Sequence, residues 1–521
     1  MSSASRTVHL VVIIHGLWGS PEHVSYLANT LRGVTSARAS ESTPLSILIP
    51  SSIQWTNTYD GIDYCAEHVA QEIDQRKAEL ELDGKVLVKF SCIGYSLGGL
   101  IARFLVGLLH SRQPSFFQQV QPLNFNTFAS PWIGMPKYRG ILSKTIHFFG
   151  ARLLSRTGNQ LYLTDQYHQL PSTTTTTTTH KDSKKKYPLL SFLAHPDTNF
   201  HKALLSFKVV GIYANAINDR TVPFVTGSFE KYDLFQIAKQ ISTKSHLFKN
   251  NPDMTELEAL QIGGLELTMN PDCPSLIDKV QLTDPRLEPE ETKKAAASSG
   301  TEKKGTRWQG ALPKLPFFLK PTTYPYRAPL NYVAAGLSPL IAPIFLGYIL
   351  CSFCYQSLQS RRRIKKYNVG ELGNHFSRLR RVGLLQELRQ DLIEELAGVG
   401  NQPESHTPSE TPLSTPPDAL TVAPMLPPVH HSSATLPSRD GTQYLSSLSS
   451  HSISSISHDL GLSKLQIDML ERLNMLPNLS KFFCFLDSIP NSHGAIIYRA
   501  EGLSDRRGKR IVAHWAERFI L

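Results

Sequence analysis

Apolar residues gather in short runs along the first half of this chain, separated by longer stretches that mix apolar and charged positions. Runs rich in Val, Ile, Leu and Phe lie at 8–14, 45–50, 86–93, 123–129 and 207–214. Their length and composition predict strands buried on both faces. Stretches at 21–33, 60–82 and 97–110 read as helices. Strands alternating with helices from residue 8 to 225 predict an α/β fold, a mostly parallel sheet covered on both faces. The rhythm lapses at 131–206, where Trp132, Phe148, Phe149, Leu161 and Tyr162 mix with a threonine run, Thr173 to Thr179, and the lysines 184–186. A connection that long is expected to be a lid and a flexible insertion, with 131–170 as lid or pocket wall and 171–187 as the insertion. Globular character returns at the end, with a helix predicted at 460–475, a strand at 480–487 and a helix at 509–520.

One run has a different scale. From Ala328 to Ser360 there is no Asp, Glu, Lys or Arg, and Arg361-Arg362-Arg363-Ile364-Lys365-Lys366 follows at once. Apolar length of this kind predicts a membrane-associating segment over 328–366, and the alternative is a buried core helix. Pro339 and Pro343 would interrupt a straight helix, so a bent or hairpin insertion is expected. Around this segment, 285–310 is charged and polar, a linker. Residues 371–397 repeat Leu385, Leu388, Leu392 and Leu396 at helical spacing, an amphipathic helix, and 399–457 is rich in Ser, Pro, Thr and His, a disordered linker. The domain reading is therefore a catalytic unit made of 1–270 and 460–521 with these segments inserted.

Composition narrows the partners. The chain has 521 residues, 41% of them hydrophobic, enough for a large core. Its net charge of +11 is patchy, and no basic stripe interleaved with aromatics accompanies it. That argues against nucleic acid and for an anionic membrane surface. Six scattered cysteines suit reduced thiols facing the cytosol. Cys351 and Cys354 form C-x-x-C inside the apolar run without a second ligand pair, so core thiols or acylation sites are expected there, not zinc. Residues 1–7 are polar and lead straight into the first strand, so no secretory signal is expected.

The chemistry starts at Gly94-Tyr95-Ser96-Leu97-Gly98. This G-x-S-x-G follows the strand-like run 86–93 and opens a helix, which lifts the Ser96 hydroxyl above a sheet edge as a nucleophile. A second element agrees with it. Val11-Val12-Ile13-Ile14 runs into His15-Gly16-Leu17-Trp18-Gly19, a glycine-rich first loop that can supply an oxyanion amide. The amides of Leu17 and Leu97 are the candidates for that hole. A serine of this kind needs a histidine base, and the base needs an acid, in the chain order Ser, acid, His. Asp219 follows the strand 207–214 and fits the acid, with Asp165 and Asp487 behind it; Asp487 is read as still within the last strand. His493, in the loop after that strand, fits the base. His514 is expected to be a packed structural histidine, and His15 to shape the oxyanion loop. No metal or cofactor is called for.

The stretches His15-Gly16-Leu17-Trp18-Gly19, Gly94 to Gly99, Ser155-Arg156-Thr157-Gly158, Tyr213-Ala214-Asn215 with Asn218-Asp219, and Ser492 to Ile497 resemble the fungal serine esterase/lipase family that includes the lipid-droplet phospholipase of yeast. The resemblance covers 8–270, 310–390 and 460–521. It implies an α/β-hydrolase fold with Ser96 as nucleophile and Asp219 and His493 as its partners. It also implies cleavage of phospholipid acyl esters at a lipid-droplet surface. One departure stands in the loop after the fourth strand, where relatives often carry Pro-His and this chain has Pro131-Trp132-Ile133-Gly134.

Ser96 and Asp219 precede the apolar run and His493 follows it. A single bilayer crossing between them would put base and nucleophile on opposite sides. One-sided insertion from the cytosolic face of a droplet or endoplasmic-reticulum membrane is therefore expected. The reading is a glycerophospholipid acyl hydrolase. The alternatives are a neutral-lipid (triacylglycerol) lipase and a catalytically silent membrane scaffold.

Overall fold

The computed structural model describes residues 7–38, 43–138, 140–167, 187–243, 245, 254–283, 329–369, 461–500 and 504–521. The strands are β1 (Thr7–Ile14), β2 (Leu45–Leu48), β3 (Val86–Tyr95), β4 (Gln121–Phe128), β5 (Val209–Asn215), β6 (Leu265–Met269), β7 (Leu276–Leu282) and β8 (Leu479–Cys484). They form one sheet in the order β2-β1-β3-β4-β5-β8-β7-β6. β2, β1, β3, β4, β5 and β8 run parallel, while β7 is antiparallel to both β8 and β6. This is an α/β-hydrolase fold, a mostly parallel sheet with helices packed against it.

The parallel strands are predominantly apolar because both faces are covered. Leu10, Val12 and Ile14 of β1 join the core on one face, with Phe90 and Cys92 of β3; Val11 and Ile13 join the core on the other with Ile93. The first face is covered by α2 (Ile62–Leu82), α3 (Leu97–His110) and the short α4 (Phe116–Gln119), the second by α1 (Ser25–Ala37) and the C-terminal helix Arg507–Glu517. The register of β1 against β3 ends at Ile14 opposite Gly94, so the loops after both strands open at the same edge of the sheet.

Several expectations need correction. The last strand stops at Cys484, and the Phe485 amide turns to the Ser275 carbonyl at 2.9 Å, so Asp487 lies in the loop beyond it. The sheet extends past residue 270 through β7, whose alternation of buried Leu276, Ile277 and Val280 with partly or fully exposed Asp278, Lys279 and Gln281 suits a strand near an edge. Residues 189–206, grouped with the lid and flexible insertion, form two packed helices, α7 (Leu189–Ala194) and α8 (Asn199–Ser206). Every residue of α7 is buried, and α8 lies so close to α3 that a Cβ on Gly107 would meet Phe200 Cδ1 at 2.1 Å. The lid stretch carries α5 (Ile141–Leu153), with Ile141, Ile146, Phe148 and Phe149 exposed, and α6 (Ser155–Leu161), which is largely buried.

The apolar run forms one 40-residue helix, Leu330–Val369, not a hairpin. Pro343 sits one turn after Pro339, so the carbonyl it leaves without a donor is that of Pro339 itself, as Pro339 leaves that of Ala335. Two lost bonds confined to one region do not end a helix about 60 Å long. Across its candidate spanning stretch, Gly336–Tyr367, only 6% of the most apolar window is buried. By length and composition this helix could cross a membrane. Cys351 and Cys354 are exposed on it, which excludes the core-thiol reading. The linkers at 285–310 and 399–457, the amphipathic stretch 371–397 and residues 171–186 lie outside the described residues.

Candidate functional site

Ser96 stands at the turn from β3 into α3 with φ 56° and ψ −125°, a left-handed backbone for a residue with a side chain. Its amide donates to the Phe128 carbonyl at 2.8 Å, which helps hold the turn. Two glycines make the turn possible. A Cβ on Gly94 would sit 2.5 Å from the Gly98 carbonyl, and one on Gly98 would sit 2.2 Å from the Ile14 carbonyl. The helix start is thereby pressed directly against the end of β1.

The loop after β1 passes alongside the serine. A Cβ on Gly16 would meet Ser96 Cβ at 2.8 Å and Ser96 Oγ at 3.3 Å. Leu17 follows in this loop, and Leu97 is the first residue of α3, at the end of the helix where amides point outward without intrahelical partners. Each oxyanion candidate therefore follows a residue at this point, Leu17 after Gly16 and Leu97 after Ser96. His15 is fully buried, with Nδ1 3.1 Å from the Gly16 carbonyl, and packs under Gly19. It shapes the loop.

His493 and Asp219 reach the same point from the other half of the sheet. His493 Nε2 lies 3.0 Å from Ser96 Oγ, and its Nδ1 lies 2.9 Å from Asp219 Oδ2. The structure thus brings together three residues separated by as many as 397 positions. Asp219 Oδ1 accepts the amides of Thr221 and Val222 at 2.9 and 2.8 Å, and Oδ2 also accepts from Asn215 Nδ2 at 2.9 Å. Burial pushes its carboxyl up, but the His493 charge and hydrogen bond, with the Val222 and Asn215 donors, outweigh that and hold it below the usual carboxylate range. The carboxylate is ionised across neutral pH. Its loop is tied to the histidine loop, since Ser492 donates its amide to Asn218 O and its hydroxyl to Ile217 O, at 2.9 and 2.8 Å.

The other candidates lie elsewhere. Asp165 accepts the Leu189 amide at 2.9 Å; its burial raises the carboxyl to about 6. Asp487 is ion-paired with Arg507. His514 is buried, with Nδ1 3.0 Å from the Tyr213 hydroxyl. Two contributors escaped the sequence reading. Asn215 stands in a motif stretch, and nothing in the sequence marks it as a donor to Asp219. Tyr95, the variable residue of the elbow, lies under the His493 ring at 5.1 Å and donates its hydroxyl to the His493 carbonyl at 3.1 Å. Burial pushes its phenol well up, so the hydroxyl keeps its proton. Among the described residues no cluster of His, Cys, Asp and Glu could hold a metal.

Chemically the arrangement can activate a hydroxyl, hold an imidazole in one tautomer and offer backbone amides to an oxyanion. Parts of this chain are similar to known proteins. The curated relatives include "Putative lipase ROG1" of Saccharomyces cerevisiae, 28% identical over 255 residues, covering 48% of this chain and 33% of that protein. They also include "Putative lipase C4A8.10" of Schizosaccharomyces pombe, 25% identical, covering 45% and 27%. The chain thus spans about a third of the length of the curated relatives it matches. Among solved structures, the "putative cell surface hydrolase from Lactobacillus plantarum WCFS1" is 15% identical with a TM-score of 0.21, covering 43% of this chain and 76% of that one. An extracellular α/β-hydrolase from a Paenibacillus species is also 15% identical, with a TM-score of 0.19, covering 27% and 50%. The family model described as "Putative serine esterase (DUF676)" matches residues 4–232, the part that carries Ser96, the loop beside it and Asp219.

Proposed function

We propose that this protein is a serine acyl-ester hydrolase that cleaves glycerophospholipids at a lipid surface. The observation that carries it is the hydrogen-bonded sequence Asp219–His493–Ser96 at the end of the parallel strands. Ser96 Oγ attacks the acyl carbonyl carbon while His493 Nε2 takes its proton. The amides of Leu17 and Leu97 hold the oxyanion that forms. The tetrahedral intermediate collapses, His493 returns the proton to the leaving glycerol oxygen, and the acyl group stays on Ser96. Water then attacks that ester with His493 as base, and the fatty acid leaves. Asp219 holds Nδ1–H and stabilises the imidazolium in both halves.

The lipid surface is supported by the exposed apolar helix and by its basic end, where Arg361, Arg362, Lys365 and Lys366 are exposed. Anionic headgroups attract such residues by about 1 kcal/mol each. The phospholipid substrate rests on the family resemblance together with this pairing of apolar and basic surfaces. The site of action is the droplet monolayer or the endoplasmic-reticulum membrane, with the catalytic domain facing the cytosol. The test compares wild type with Ser96→Ala on phospholipid and triacylglycerol emulsions of matched interfacial area. Ser96-dependent release of fatty acid, faster from phospholipid, is expected. Faster release from triacylglycerol would make the protein a neutral-lipid lipase, and no Ser96-dependent release from any ester would make it a scaffold.

A further inference from the structure

The apolar helix Leu330–Val369 is two different surfaces in sequence. In its first half Leu340, Ile341, Ile344, Phe345 and Tyr348 are all more than half exposed. In its second half one stripe is occupied. Phe353 stacks on Trp18, with ring centroids 5.8 Å apart and planes 25° apart. Ser357 and Ser360, one and two turns further on, are buried and small, which lets the helix come close. Arg363 Nε and Nη2 grip the Asp60 carboxylate at 2.8 and 2.7 Å, and Nη2 also donates to the Thr56 carbonyl at 2.9 Å. Tyr367 packs on Tyr64 and His68 and accepts from Gln71 Nε2 at 3.3 Å. Residues 353, 357, 360, 363 and 367 recur at three and four, so this is one face of one helix.

What that face touches is the support of the oxyanion loop. Trp18 follows Leu17 and holds a left-handed φ of 53°, a conformation a tryptophan keeps only when its surroundings enforce it. Its indole N–H donates to the Tyr59 hydroxyl at 2.8 Å, and its amide lies 3.2 Å from Thr58 Oγ1. The Trp55 amide donates to the Gly19 carbonyl at 2.8 Å. Trp18 and Gly19 are therefore stitched to the single-turn segment Trp55–Tyr59, which Arg363 grips at Thr56 and beside its end at Asp60. Phe353 stacks on Trp18 directly and covers part of its ring.

We infer that the second half of the apolar helix braces the oxyanion loop, with Phe353 and Arg363 as positioning residues for the Leu17 amide. This rests on the reading of that amide as an oxyanion donor. A loosened loop misplaces the donor without touching the binding of a small substrate, so the cost falls on turnover. A misplacement near 1 Å can cost about a hundredfold.

The experiment uses the full chain in detergent and two readouts. On a soluble p-nitrophenyl ester, Phe353→Ala and Arg363→Ala should lower kcat about ten- to a hundredfold. KM should stay within about twofold, and Phe353→Tyr, which keeps the ring, should retain most of the turnover. Hydrogen–deuterium exchange should rise in peptides spanning 15–19 in both alanine variants and stay at the wild-type level across α3. Unchanged exchange at 15–19 in both variants overturns the brace, whatever turnover does. Loss of Ser96 dependence in the wild type would instead count against the hydrolase reading and leave the exchange result to decide the brace.

Discussion

Two helices of this protein are strongly apolar and meet opposite fates. In α3 every residue except Leu108 and His110 is buried, and its first turn carries the oxyanion amide candidate. The helix Leu330–Val369 leaves its apolar first half in the open. Hydrophobicity alone does not separate them. What separates them is the supply of facing surface. α3 lies between the sheet and α2 and α8, with glycines at 98, 99 and 107 where the Ile14 backbone, the Ser130 side chain and the Phe200 ring come too close for a Cβ. The long helix packs along the stripe from Phe353 to Tyr367, where Ser357 and Ser360 are buried and small, while its first half exposes Leu340, Ile341, Ile344, Phe345 and Tyr348.

The sharpest way to break this comparison is at the elbow. Ser96→Ala should lower ester hydrolysis by on the order of 10⁴-fold or more and abolish labelling by a fluorophosphonate probe, with the melting temperature unchanged. His493→Ala should lose nearly as much, and Asp219→Asn roughly 10⁴-fold, because the asparagine favours the wrong imidazole tautomer. Full activity in His493→Ala with a dead His514→Ala would move the base to the other histidine.

The next largest effect contrasts the two helices directly. Leu100→Ala in α3 removes a fully buried side chain and should cost about 2–5 kcal/mol in denaturant unfolding. Ile344→Ala on the open half of the long helix should change stability by less than about 0.5 kcal/mol. Serine at 340, 344 and 345 together should release the protein from lipid in flotation while leaving its melting temperature in place. Equal destabilisation by Leu100→Ala and Ile344→Ala would mean that the long helix is covered in solution.

A smaller effect comes from a core histidine. His9 is fully buried, with Nε2 2.9 Å from Ser91 Oγ; burial, helped by Lys89, lowers its pKa to about 3. The native state keeps it neutral while the unfolded chain binds a proton near pH 6.5. Its contribution to stability is therefore complete above pH 6.5 and is lost as pH falls from there toward 3. At pH 5 the loss is about 2 kcal/mol. In His9→Gln the dependence of stability on pH between 6.5 and 4 should be shallower by one proton; an unchanged slope would show that the ring is charged or solvated in the native state.

The smallest effect tests the basic end of the long helix. Arg361→Ala and Arg362→Ala should each weaken binding to anionic vesicles by about 1 kcal/mol, and the difference should fade in high salt. Arg363 belongs to a different experiment, because its guanidinium is occupied by Asp60.

The sequence by itself determined the local grammar. Apolar runs of strand length between helices specify buried parallel strands, and G-x-S-x-G after such a run specifies a tight turn that only small flanking residues permit. Chain order pointed to Asp219 and His493 as the residues following late strands. What stayed hidden depends on partners far apart in the chain. The antiparallel pair β6 and β7 is short: Leu265, Leu267 and Met269 alternate with Glu266 and Thr268 over only five residues, and Asp278-Lys279 interrupts the alternation of β7, so the period was too brief to announce the pair. The prolines at 339 and 343 argued for a break, yet the lost bonds fell too close together to end the helix. Only the tertiary structure placed Tyr95 beneath His493 and Phe353 on Trp18. Neither contact leaves a local pattern, because each is set by how β3 and the long helix pack, and packing is decided by the surfaces that meet and not by the spacing within either one.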